Sequence, residues 1–123
     1  MDIIKEASEA LLPISNRGIR VKEGWYDEDT TDTHISLWEL SSSDVDYSDD
    51  EAESETGTVQ VNIWSLNDEI ALRDEVKTLM LAYGFTFEAA NDSYEDDTEL
   101  YVKQMRFNLT KEIQQPDETG REE

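Results

Sequence analysis

The sequence contains no cysteine, which excludes disulfides, thiolate metal sites and cysteine nucleophiles. It has a single histidine, His34, so a serine or threonine nucleophile has at most one imidazole to take its proton. Five scattered glycines and two prolines form no Gly-x-Gly-x-x-Gly or Gly-Lys-Ser/Thr loop, and a phosphate cradle is absent. Basic residues are scarce, ten against thirty-one acidic ones, for a net charge of −21. A field of that sign repels DNA, RNA and anionic lipid, which disfavours phosphate-tracking nucleic-acid binding. No apolar run approaches the roughly eighteen residues of a membrane span. Met1-Asp2-Ile3-Ile4-Lys5-Glu6 lacks the basic start and apolar block of a signal peptide, and a cytosolic protein is expected.

What remains suits one small domain. The chain has 123 residues, 37% of them hydrophobic, with three Trp, five Tyr and three Phe. A domain of this size buries about two-thirds of its unfolded surface, so a thin core is expected, one to which subunit contacts could add. Ile3, Ala7, Ala10, Leu11 and Ile14 recur at helical spacing behind a capping Asp2, and Pro13 lies just past the expected end. Asn16-Arg17-Gly18 signals a turn, and Ile19–Lys22 a short strand. His34 to Leu40 reads as a strand with apolar groups on both faces. Thr58 to Ser65 alternates cleanly, with Val59, Val61 and Ile63 on one face and Gln60, Asn62 and Trp64 on the other. Ser65 and Asp68 make a near capping box for a helix over 67–83, whose stripe is Leu72, Val76, Leu79, Met80 and Tyr83. Gly84 is its expected stop. Residues 85–89 and 99–110 form a strand pair.

The predicted class is α+β, a mostly antiparallel sheet with two helices packed on it, in the order α-β-β-β-α-β-β. It occupies residues 1–112. An acidic loop is expected over 42–57 and a disordered acidic tail over 113–123.

The chemistry-bearing candidates are few. Asp44, Asp46, Asp49, Asp50, Glu51, Glu53 and Glu55 put seven carboxylates in the twelve residues 44–55. Asp44-x-Asp46-x-Ser48 with Glu55 at the twelfth place imitates a calcium loop. Asp49, however, stands where that loop needs glycine, and the flanks read as strands, so no ordered metal site is expected. His34 is expected to be structural. Glu39 and Glu88 are the carboxylates whose burial would matter to acid–base chemistry. No cofactor and no catalytic set is predicted. Trp25, Tyr26, Trp38, Trp64 and Tyr101 lack a basic groove in which to stack bases; Trp38, Trp64 and Tyr101 are candidates for a subunit interface.

The order of elements, with Val59-Gln60-Val61-Asn62-Ile63-Trp64-Ser65 running into an amphipathic helix and a final strand pair ending Met105-Arg106-Phe107, resembles the tail terminator, or tail-to-head joining, proteins of long-tailed bacteriophages. The resemblance covers about residues 1–110. It implies a non-enzymatic structural protein that caps the tail tube as a homo-hexameric ring and meets a head-completion connector, assembled in the host cytoplasm and resident in the virion tail. DNA would pass through the ring without specific binding, and the acidic segment 44–55 becomes a candidate channel lining. Six copies of −21 make −126, a repulsion that basic partner surfaces or counter-ions must offset. Two other readings stand beside it: an acidic DNA mimic that inhibits a nucleic-acid-binding enzyme, and a calcium-responsive binding module.

Overall fold

Asp2 opens the first helix by accepting the Lys5 backbone N–H at 3.1 Å, which satisfies one of the free donors of a helix start. The computed structural model describes residues 1–24, 32–48, 51–96 and 99–112, with backbone alone for 43–48 and 51–53. Helix α1 (Ile3–Ala10) leads into a single further turn, α2 (Leu12–Ser15). Pro13 therefore does not end the helical segment as expected. It lies in the first turn of α2, where its missing N–H costs no bond. Strand β1 (Arg20–Glu23) follows. Then come β2 (His34–Ser48), β3 (Glu51–Ser65), helix α3 (Ile70–Tyr83), β4 (Thr86–Glu95) and β5 (Leu100–Glu112).

The strands form one five-stranded sheet in the order β1-β2-β3-β5-β4. β1 pairs with β2 in parallel, and the other three pairings are antiparallel. β3 and β4 therefore run in the same direction, with α3 between them in sequence and β5 between them in the sheet. The class is the predicted α+β arrangement, with the extra turn α2 as the main departure in order.

Alternation assigns the faces. Ile35, Leu37, Val59, Val61, Ile63, Met105 and Phe107 are buried with Ile3 and Ala7 of α1 and Leu72, Val76 and Met80 of α3 in one core. Tyr83, expected in that stripe, is 37% exposed. Its hydroxyl instead donates to Glu6 of α1 at 2.6 Å and lies 3.1 Å from the Glu9 carboxylate. α3 also begins later than predicted, at Ile70, with no side-chain cap. Ser65 Oγ accepts from the Asn67 N–H, while Asp68 is drawn to Lys103 at 2.6 Å. At the other end Gly84, at φ +123°, closes α3: Phe85 N–H reaches Met80 O at 3.0 Å.

The largest departure from the expected loop over 42–57 is that residues 42–48 and 51–57 are strand. β2 and β3 pair from His34↔Trp64 to Ser48↔Glu51 with one register shift, between Glu39 and Ser41. β5 supports β3 on its other side as far as Ser54↔Glu112. Charge density alone favours a solvated loop here. Backbone pairing on both flanks, with Thr56, Thr58 and Thr110 among the β-formers, carries the ladder onward. Positions 49 and 50 lie outside the described residues, as do 25–31 and the tail 113–123.

Candidate functional site

The register of the hairpin decides where its acids fall. A bulge between Glu39 and Ser41 inserts Leu40 as an unmatched residue. Beyond it Asp44 pairs with Glu55 and Ser48 with Glu51. Alternation then puts Asp44, Asp46, Glu51, Glu53 and Glu55 on one face of the ladder, and Val45, Tyr47, Ala52 and Ser54 on the other. Without the bulge, a one-residue slip would move Asp44 and Asp46 to the opposite face. Like charges directly opposite one another destabilise a ladder, so this crowding works against the fold. Part of it is offset at the base of the arm. Glu55 accepts from the Met1 amine at 2.6 Å, and that contact raises the amine's pKa. Lys111, opposite Glu55 in β5, reaches Glu6 at 2.8 Å. Asp49 and Asp50 lie outside the described residues. The ten described positions of the calcium-loop spacing are thus divided between two strands, and among the described residues no three acidic or imidazole groups converge as a metal site.

The three aromatic interface candidates separate. Trp38 is 44% exposed and Tyr101 39%. Trp64 is 1% exposed, which corrects its place among surface contacts: it is buried on the face opposite the helices with Leu100 and Val102. Its indole N–H donates to Ser36 Oγ at 2.9 Å, and Asn62 Nδ2 donates to the same oxygen at 3.3 Å. His34 stacks on the Trp64 ring, with centroids 6.2 Å apart. Its Nδ1 lies 2.8 Å from the Asp32 carbonyl oxygen. The imidazole is therefore held by backbone and indole, and the neighbouring Ser36 hydroxyl is engaged by Trp64 and Asn62. Glu39 and Glu88 are both exposed.

One cluster was not anticipated. Lys103 is 3% exposed and its amine lies 2.6 Å from Asp68 and 2.9 Å from Asp92. Burial alone would lower the amine's pKa; the two carboxylates more than offset this, and it sits above the ordinary lysine value. Tyr94 and Tyr101, directly paired across β4 and β5, meet edge to face with centroids 5.0 Å apart. These five side chains line a cavity of about 370 Å³. The signal in the sequence was parity: Lys103 shares an odd-numbered face with Tyr101, Met105 and Phe107, so a lysine had to be accommodated on the apolar side.

β4 is the open long edge of the sheet, exposed along nearly its whole length. A bulge between Phe87 and Ala89 and the acids Glu88, Asp92 and Glu95 blunt it against indiscriminate pairing.

These features define an α+β sheet-and-helix domain with an acidic hairpin arm at one end and a tyrosine-lined, carboxylate-bearing cavity at the other. No protein-family model and no curated protein sequence matches the chain. Among solved structures, a chain of the virion of a native gene transfer agent (GTA) particle is similar to it, with a TM-score of 0.52 at 13% identity, over 89% of this chain and 92% of that one. The likeness is one of fold, and it extends over nearly the whole of both chains.

Proposed function

We propose that this chain is a structural protein of a phage-type virion, and that it closes the tail tube as a ring and joins the tail to the head connector. The observation that carries the reading is the near end-to-end fold likeness to a virion component. It agrees with the resemblance seen in the order of elements. Exposed Trp38 and Tyr101 and the open edge of β4 offer contacts for neighbouring copies and for the tail-tube and connector proteins. The acidic arm suits a passage through which DNA slides, since an attractive lining would hold the polymer in transit. The test is native mass spectrometry and sedimentation velocity, alone and with a phage tail-tube protein. The expected result is a ring of about six copies, formed alone or on the tube end. Monomer under both conditions overturns the reading.

One observation favours a second reading, inhibition by DNA mimicry. The acids lie on a paired ladder, where carboxylates at alternate positions are spaced by about 6.8 Å, and not on a loop. Mimicry predicts that the protein competes with duplex DNA for a restriction or repair enzyme. A panel of such enzymes left uninhibited would remove it.

A further inference from the structure

We propose that the cavity where β4, β5 and the β3–α3 turn meet binds an arginine side chain presented by a partner protein. Asp68 and Asp92 each turn one oxygen to Lys103, yet their side chains are 52% and 55% exposed. A carboxylate has about four acceptor positions, so both keep acceptors facing the opening. The buried amine fixes the two carboxylates at a set separation and cannot itself leave. Two carboxylates against one ammonium leave the site with net negative charge, inside a molecule already at −21.

The rest of the lining selects among cations. Tyr94 and Tyr101 are 49% and 39% exposed, and the faces of such rings attract a cation within about 6 Å. A guanidinium is flat, weakly hydrated and carries five donors in a fixed fork. It can lie against a tyrosine face while donating to both carboxylates, whereas an ammonium is a compact, strongly hydrated point charge. The cavity, at about 370 Å³, is open enough to admit a side chain from a protein surface. The inference rests on this chemistry alone and holds whether or not the protein closes a tail tube.

The probe is N-acetyl-arginine methylamide, with the neutral citrulline analogue as control. Each is titrated into the full chain at about 0.15 M NaCl, where the Debye length is about 8 Å and diffuse attraction is screened. Backbone amide spectra are the readout. The expected result is saturable shifts at residues 92–94 and 101–103 with arginine and none with citrulline. Asp92→Asn and Tyr101→Leu should each weaken binding by about two- to fivefold, and Tyr101→Leu, which leaves both Lys103 ion pairs intact, should leave the remaining spectrum in place. Equal shifts from citrulline, shifts scattered over the acidic surface, no saturation, or binding unchanged in both variants would overturn the proposal. None of these outcomes bears on ring formation, which is read separately by mass.

Discussion

At Gly57 the first helix packs directly on the sheet. A Cβ added there would lie 3.3 Å from Ile3 Cδ1 and 3.4 Å from Met1 Cε, and Ile3 is 1% exposed. Gly57→Val adds two further methyls to that contact and should cost about 1–3 kcal/mol by overpacking. Combining it with Ile3→Val should cost less than the sum of the two singles, because the second change makes room for the first. Urea melts of the four proteins measure this; strict additivity would mean that the two sites do not touch. Glu6 makes a second residue-scale case. Lys111, then Tyr83, hold its carboxyl below the ordinary value of 4.5. A lowered folded-state pKa contributes stability that is fully present above the unfolded value and is lost as pH falls through the folded one. The advantage of the native chain over Glu6→Gln should therefore be constant above pH 4.5 and shrink below it. A gap that stays unchanged down to pH 2–3 would sink that account.

At the scale of elements, the bulge at Leu40 absorbs one unmatched residue between two stretches of paired strand. Glu39 pairs with Val59 and Ser41 with Thr58, so deleting Leu40 leaves every other partner in place. The expected outcome is a folded protein whose cross-strand Hα contacts between Asp44 and Glu55 persist in nuclear Overhauser spectra, since β3 is already held in position by β5. A slip to Asp44↔Ser54 would show that the bulge sets the register and is not merely tolerated by it. The same element shows what a sequence can and cannot reveal. The strands around Val59–Trp64, the stripe Leu72–Val76–Met80 and the stop at Gly84 were legible because period and glycine placement are local signals. The strand character of 42–48 and 51–57 is hidden because charge density speaks louder than Val45, Tyr47 and Thr56, and because the β5 partners that flank 54–57 on their second side lie over fifty residues away. Trp64 was assigned to the correct face, but sequence alone could not say that this face would be covered. Lys103 sat in view at the right parity, yet nothing local connects it to Asp68 and Asp92; only the sheet and the turn before α3 bring those three together.

For the molecule as a whole, charge is the term that conditions change most readily. Net −21 on 123 residues means self-repulsion in the compact state, and the expanded chain relieves it. Opposed to this are a few ion pairs. Arg17–Glu75 and Lys111–Glu6 are substantially exposed on at least one side, and pairs of that kind contribute about 0–1 kcal/mol each. Lys103 is the best shielded of the side-chain cations in these pairs, and salt weakens buried contacts least. Adding salt therefore removes more repulsion than attraction. Thermal melts in about 0.5 M NaCl, where the Debye length is only a few ångströms, should show a higher midpoint than melts in about 0.01 M, where it is about 30 Å. Each 1 kcal/mol of relieved repulsion corresponds to a rise of about 4 °C for a chain of this length. A flat or falling midpoint would mean that the pairs outweigh the field. If the midpoint rises as expected, a basic partner surface should do locally what salt does generally, and binding such a surface would stabilise the fold.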